Sequence, residues 1–391
     1  MGAWQEHHVR QADGHGGFRL YPALRQVLRH PDADYTMPFG LAYQDNGEVV
    51  LLCSREIHRE PRRFEPVTAF SADGGGTWSS FAGVPGTSGR PQYLHVLGQG
   101  GLSFVTEVWG QGARPHRVFS SDYGRSWPEV VPHPTTADGL PFAVEGNGWV
   151  DRDDRGRPRA VLEIGYYVAP GMTHPTGDYT GVFRRSRDGG RTWVDEVSPS
   201  EWKFDLDHDG RTWRRGVSEG ALVRAADGDL VAALRTDMPP WYFAGPHDDS
   251  LEGTAISRSA DDGRTWSEMQ FLFAAGRHHA NLQRAADDLL ICTLIVRADI
   301  RTEGPVDPPL TSARRGVDAV VSRDHGRTWD LGGRYELDAY DHLRDDGYWV
   351  DGVCGHLATT LLPDGAALTA YGRYPVGVVL VKWRPDGRVP A

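Results

Sequence analysis

Short apolar runs broken by turn residues recur along the whole chain. Six times an apolar run, a turn near Asp-Gly and a second apolar run follow one another, as in GALVRAADGDLVAALR and LATTLLPDGAALTAYGR. Apolar runs of this length bounded by Gly, Asp and Asn are typical of β-hairpins. We expect six such hairpins, at residues 36–55, 90–107, 145–167, 217–235, 278–297 and 355–373.

A second pattern, S-x-D-x-G-x-[ST]-W, follows the first five hairpins. Its five copies occupy residues 71–78, 120–127, 186–193, 259–266 and 322–329. Asp can accept hydrogen bonds from backbone N–H groups two or more residues on, and Gly supplies the positive φ of a tight turn. Trp can pack beneath the turn. The copies therefore predict structural turns, to which we assign no catalytic role.

The repeated turn resembles the Asp-box, or BNR repeat, of the sialidase superfamily. The resemblance and the six hairpins together imply an all-β fold, a six-bladed β-propeller with four antiparallel strands per blade. We expect a single domain over residues 1–391. A strand from residues 17–28 would complete the last blade and cover the sheet edge there.

Composition and charge narrow the function classes. The net charge of −11 is unlike that of nucleic-acid binders, which usually carry a basic face, and gives no support to membrane-surface binding. No apolar run approaches 18 residues, so no transmembrane segment is expected. Three cysteines do not suggest a disulfide framework. Residues 1–10 lack the apolar stretch of a signal peptide, and a cytoplasmic location is the expectation.

Polar residues recur where the six hairpins begin. Counting nine residues back from each turn brings a set of titratable side chains to equivalent positions, at or beside the start of a first strand. The set is Arg90, Glu145, Glu219, His279 and His356. In a propeller the first strands meet at the axis, so these side chains would converge on one funnel, as an active site requires.

The stretch SEGALVRAADGDLVAALR resembles the sialidases specifically. That resemblance implies that Glu219 raises the basicity of a nucleophilic Tyr and that Arg235 belongs to a triad that clamps a substrate carboxylate. Arg314, eight residues before the last Ser-x-Asp turn and beside Arg315, would be a further member of that triad. Guanidinium forks bind carboxylates through charge-assisted, bidentate hydrogen bonds.

The sequence departs from the sialidase pattern at three places. Thr36 stands where the first triad Arg is expected, and Cys354 and His356 stand where the nucleophilic Tyr is expected. The loop that should carry an acid/base Asp reads EIHREPRRFEP and offers Glu56, His58 and Glu60 in its place. Of these we expect His58 at the substrate site. The catalytic set therefore matches only in part.

Exo-acting arabinanases, which share the fold and use two glutamates, are similar to this chain at one further point. Glu145 and Glu219 lie near the starts of neighbouring first strands and could flank one glycosidic bond. The leading hypothesis is an exo-acting, sialidase-like glycoside hydrolase that removes a terminal, potentially acidic sugar from an oligosaccharide or glycoside. The catalytic residues would be Glu219, Glu145 and His356, with Arg235, Arg314, Arg90, His279 and His58 binding the substrate.

Two rival functions stay open at this stage. A polysaccharide lyase acting on a uronate would use His or Tyr as the base beside an Arg-neutralised carboxylate, and a propeller can also bind glycans without catalysis. Aromatic residues at 241–242 and 348–349 could stack on a sugar ring or cover the core.

No cofactor and no metal are expected from the sequence. The pairs His7–His8 and His278–His279 lack a spaced partner for zinc. Residues 205–210, DLDHDG, imitate a calcium loop but have Gly216 at its twelfth position, where such a loop needs Glu. We interpret 205–210 as a polar surface loop.

Overall fold

The computed structural model describes residues 2–106, 115–168, 179–239, 252–297, 314–341 and 354–390. In these segments the chain forms 27 β-strands and one short 3-10 helix, Ser200–Trp202. Neighbouring strands pair antiparallel. The fold is therefore all-β, as predicted. None of the helical structure in the described segments could cross a membrane.

Most strands fall into six groups that pair in chain order. The first three groups are β3 (Tyr35–Tyr43), β4 (Val49–Ile57), β5 (Arg63–Ser71) and β6 (Ala82–Gly83); β7 (Pro91–Gly98), β8 (Gly101–Thr106), β9 (His116–Ser120) and β10 (Glu129–Pro132); and β11 (Trp149–Arg152), β12 (Pro158–Val168), β13 (Tyr179–Ser186) and β14 (Val194–Val197). The last three are β17 (Val217–Arg224), β18 (Leu230–Asp237), β19 (Glu252–Ser259) and β20 (Gln270–Phe273); β21 (Arg277–Arg284), β22 (Leu290–Val296), β23 (Arg314–Ser322) and β24 (Tyr335–Asp341); and β25 (Cys354–Leu361), β26 (Ala367–Arg373) and β27 (Gly377–Trp383).

The first two strands of each group coincide with the six predicted hairpins, which are therefore confirmed. Between the third and fourth groups the chain forms a separate hairpin, β15 (Phe204–His208) and β16 (Arg211–Arg215). The calcium-like stretch 205–210 lies in this hairpin, and its side chains are exposed or half-buried.

The N-terminal segment joins the fifth and sixth groups. It forms β1 (Gln5–Ala12) and β2 (Phe18–Leu28), and β2 pairs with β27 as predicted for residues 17–28. β1 pairs with β24, so the two groups and the hairpin form one nine-stranded sheet. The expectation of separate four-stranded sheets is wrong here. The hairpin covers two sheet edges whose N–H and C=O groups would otherwise lack partners.

The six first strands form a closed ring. Each lies beside the first strand of the next group, and β25 lies beside β3. Apolar clusters fill the spaces between neighbouring groups; one of them joins Leu41 and Leu51 of the first group to Ala358 and Leu368 of the last. Each group therefore buries its faces against two neighbours, and the first strands begin around a common centre.

All five copies of the repeated turn make the same hydrogen bonds. In the copy at 186–193, Asp188 Oδ1 accepts from the Ser186 hydroxyl at 2.7 Å and from the Thr192 N–H at 2.8 Å, while Asp188 Oδ2 accepts from the Thr192 hydroxyl at 2.6 Å. The Gly190 N–H donates to Ser186 Oγ at 2.7 Å. The equivalent bonds recur in the other four copies. Each turn is thus held by its own eight residues.

The substitution Asp188→Ala should lower the free energy of unfolding by about 1 kcal/mol at pH 7, as loss of a capping side chain does. Slight burial raises the pKa of Asp188, but hydrogen bonds from Thr192 and Ser186 outweigh it and lower the pKa to about 2. A depressed pKa stabilises the fold above the unfolded pKa, and the contribution disappears as the pH falls from about 4 through 2. Urea unfolding at pH 7 and pH 3 measures this.

The exposed Asp154→Ala variant is the control and should unfold like the wild type at both pH values. A difference between Asp188→Ala and wild type that stays constant from pH 7 to pH 2 would contradict a role for the ionised carboxylate.

Candidate active site

A small pocket lies at the centre of the ring of first strands. Its lining residues are Phe39, Gln92, Tyr93, Glu145, Gly146, Asn147, His279, Ala280, Asn281, His356 and Leu357. The free volume is about 10 Å³, which is roughly the space that one water molecule needs. The structure therefore brings three predicted site residues, Glu145, His279 and His356, to one narrow pocket.

Glu219 and Arg235 form a buried ion pair beside this pocket. Nη1 of Arg235 lies 2.6 Å from Oε1 of Glu219, and Oε2 of Glu219 lies 2.8 Å from Nδ1 of His279. The register of β17 against β18 shifts between Val217 and Gly220, and such a bulge re-aims the side chain within it. The structure thus pairs Glu219 with Arg235, whereas the roles that the sialidase resemblance implies for them stay predictions. Glu219 is not among the residues that line the pocket; it contacts His279, which is.

Arg235 is held by three carboxylates of the protein itself. Besides Glu219, its Nη2 lies 2.8 Å from Oδ1 of Asp237 and 2.5 Å from Oε1 of Glu252. The Arg235 side chain is 8% exposed. These internal partners already occupy the guanidinium, so the clamp on a substrate carboxylate stays a prediction.

The surroundings of Glu219 disfavour its charge. Burial raises the pKa of this carboxyl group; Arg235 opposes the rise, whereas the negative charges of Glu252 and Asp237 add to it, so that the pKa reaches about 7. The ion pair with Arg235 does not fully compensate for burial, because the same guanidinium is shared with two other carboxylates.

Three histidine rings lie in contact beside the pocket. The ring centroids of His279 and His278 are 4.4 Å apart, those of His279 and His356 are 4.2 Å apart, and His356 also packs against Phe39 at 4.3 Å. Burial lowers the pKa of all three imidazoles well below the usual value, and neighbouring imidazole and guanidinium groups lower it further. At neutral pH these rings are therefore uncharged.

Glu145 is the carboxylate that reaches the pocket. It is half-buried, and its Oε1 accepts a hydrogen bond from the Tyr166 hydroxyl at 2.8 Å. Burial raises the pKa of Tyr166 well above its usual value, and the charges of Glu145 and Glu219 raise it further. The phenol therefore lies within electrostatic reach of both predicted catalytic glutamates.

Arg90 and His58 both contact Glu56, a residue that the sequence analysis noted but did not assign to the site. Nε and Nη2 of Arg90 bind the two oxygens of Glu56 at 2.7 and 3.0 Å, and Nε2 of His58 lies 2.9 Å from Glu56 Oε2. Burial raises the pKa of Glu56, but hydrogen bonds from His58 and Arg90 bring it below the usual value. The charge of Arg90 also lowers the pKa of His356, which places this cluster near the pocket.

Arg314 has its described contacts elsewhere. Its Nη2 lies 2.6 Å from Oδ1 of Asp318 and 2.9 Å from Oε2 of Glu336, both in the fifth group. Asp318 is buried and also binds Arg277. The structure does not join Arg314 to Arg235 through any described contact, and its predicted role in substrate binding stays untested.

Arg297 is a buried cation that the sequence analysis missed. It follows the second strand of the fifth group and is 2% exposed. Its charge lowers the pKa of His278, His279 and His356. The sequence held one clue to Arg297, its position. It follows the second strand of its group, and Arg235 lies near the end of the second strand of the fourth group.

The pair His278–His279 does have a partner in space. One ligand atom each from Glu219, His278 and His279 lie within 4.8 Å of one another, and all three side chains are buried. The sequence gives this pair no partner at metal-ligand spacing, and Glu219 reaches it from another strand, since Glu219 lies on β17 and the histidines on β21. The aromatic residues at 241–242 and 348–349 lie outside the described residues.

No protein-family model and no curated protein sequence matches the chain. Solved structures match most of it. A protein of unknown function from Dyadobacter fermentans is 17% identical with a TM-score of 0.58, over 92% of this chain and 98% of the other. The Hadza microbial sialidase Hz136 is 14% identical with a TM-score of 0.60, over 91% and 67% of the two chains. The chain has the sialidase fold.

A further sialidase-fold structure is the intramolecular trans-sialidase from Ruminococcus gnavus. It is 13% identical to this chain with a TM-score of 0.56, and the match covers 92% of this chain and 96% of the other. The structural matches show the fold of the chain, and identities this low say nothing of its activity.

Replacing Arg235 by Met should lower the free energy of unfolding by about 3–5 kcal/mol, because the change leaves Glu219, Asp237 and Glu252 buried without their shared cation. Urea unfolding at pH 7 measures the loss. Arg155→Met, at an exposed position, is the matched control and should not change the midpoint. A wild-type midpoint in Arg235→Met would show that the three carboxylates do not depend on this guanidinium.

Proposed function

We propose that the chain is an exo-acting glycoside hydrolase that removes a terminal sugar, with acidic sugars as the first candidates. The six strand groups would be the blades of a β-propeller, the repeated turns its Asp-boxes, and residues 1–391 one domain. The carrying observation is the position of Glu145, whose carboxylate reaches the pocket at the centre of the ring and is held there by Tyr166.

Hydrolysis of a glycosidic bond commonly uses two carboxyl groups that flank the bond. In this proposal Glu145 contacts the substrate, since it is the half-buried carboxylate in the pocket lining. Glu219 is its partner, because both lie within electrostatic reach of the Tyr166 phenol. The hydrogen bond from Tyr166 orients the carboxylate of Glu145.

The remaining predicted residues would position the substrate. His356 and His279 line the pocket, and the charge of Arg90 acts on His356. A free volume of about 10 Å³ is far below the several hundred Å³ of typical ligand sites. The sugar would therefore lie at the mouth of the pocket, with only its scissile bond directed at Glu145.

A polysaccharide lyase is the second candidate, and one observation favours it. His279 and His356 are uncharged at neutral pH and face the same pocket, so either could accept the proton that elimination removes. The products distinguish the two reactions, because a lyase leaves an unsaturated, ultraviolet-absorbing sugar and a hydrolase does not.

A panel of aryl glycosides, including sialic acid and arabinofuranose derivatives, tests the proposal. On the substrate that is cleaved, Glu145→Gln should lower kcat by about 10²–10⁴-fold, the range that a positioned acid or base contributes. Glu219→Gln should cause a loss of similar size, whereas Glu6→Gln, at an exposed position on β1, should leave kcat unchanged. Wild-type turnover in Glu145→Gln, or an unsaturated sugar among the products, would overturn the hydrolase assignment.

A further inference from the structure

His278 and His279 share one side of β21, which a regular strand does not permit. Successive side chains of a strand point to opposite faces. Here the register of β21 against β22 shifts between His278 and Asn281, and His279 has a φ of +50°. Positive φ is uncommon for a residue other than Gly and, where present, marks functional sites more often than chance. The bulge is what brings the two imidazoles together.

Glu219 completes a three-residue cluster with these rings. The three ligand atoms lie within 4.8 Å of one another, so shifts of less than about 1 Å would bring all three to the roughly 2.0–2.2 Å that separates a metal from its N and O ligands. His278 and Glu219 are 1% and 5% exposed, and His279 is 7% exposed. These side chains come from two neighbouring groups and are fixed by the sheets that carry them.

His278 has the arrangement of a metal-ligating histidine. Its Nε2 lies 2.8 Å from Oε2 of Glu252, whereas its Nδ1 is buried and has no hydrogen-bond partner. Ligating histidines commonly present one ring nitrogen to the metal and the other to a carboxylate that fixes the ring. A buried nitrogen without a partner is otherwise costly.

The charges around the cluster leave room for a cation. Glu219, Asp237 and Glu252 share the single guanidinium of Arg235. Among the described residues, Arg297 is the other guanidinium that acts on His278 and His279, so three carboxylates face two guanidiniums. Buried charge of one sign requires a counter-charge.

We propose that Glu219, His278 and His279 bind a divalent first-row transition metal. Two imidazoles and one carboxylate suit zinc, manganese or iron, whereas magnesium and calcium prefer sites built from oxygen alone. His279 also lines the pocket, so the proposed metal site lies beside it. Metal binding takes Glu219 as a ligand, and the proposal stands whether or not the chain hydrolyses glycosides.

Zinc uptake by the untagged chain tests the proposal. After dialysis against Zn²⁺ and removal of excess ion, the wild type should retain one equivalent, measured by mass spectrometry of the metal, and Zn²⁺ should raise its Tm. Glu219→Gln and His278→Gln should each lose the bound zinc and the shift in Tm. Glu252→Gln should weaken binding by about 10–100-fold, the usual cost of losing the carboxylate behind a ligating histidine.

His8→Gln is the matched control, because it removes one imidazole from the other histidine pair, at an exposed position on β1; it should retain zinc like the wild type. Circular dichroism checks that each variant is folded, and Co²⁺ in place of Zn²⁺ gives a visible absorption band that reports nitrogen and oxygen ligands. A wild-type chain that takes up no zinc, or a folded Glu219→Gln chain that retains it, would overturn the proposal. Neither result depends on glycosidase activity.

Discussion

The guanidinium of Arg235 fixes the start of the fourth strand group. It binds Glu219 in the bulge of β17, Asp237 at the end of β18 and Glu252 at the start of β19. Because buried carboxylates without a cation cost several kcal/mol, the three strands cannot shift past one another without breaking this contact. His278 and His279 of β21 pack against two of the same carboxylates. The side of the pocket near these histidines therefore depends on one interaction.

The repeated turns and the central pocket are specified by the sequence in different ways. Each repeated turn is closed by hydrogen bonds within eight residues, and the Trp is buried in four of the five copies. The central pocket is assembled from residues more than 200 positions apart, such as Glu145 and His356. A local motif is enough to specify each turn, whereas the pocket also needs the ring of first strands to close.

Much of the fold followed from the sequence, because alternating apolar residues and Gly-containing turns are local signals. The hairpin that carries both Glu219 and Arg235 followed for the same reason, whereas their ion pair was not predicted. The joining of the fifth and sixth groups by β1 could not be predicted, because the sequence of a strand does not specify which second strand it pairs with. The bulge that turns His279 toward His278 and Glu219 also left no pattern, because a positive φ at a histidine has no signature in composition or periodicity.

The pairing of β2 with β27 has a consequence for how the molecule is made. Leu28 lies opposite Val378, so β2 gains this partner only after all the strands between them have been synthesised. Contacts between such distant residues slow folding, and the unpaired edges exposed in the interval favour association between chains. Early-made groups can each close their own turns during synthesis, whereas the ring closes only when β2 and β27 lie side by side.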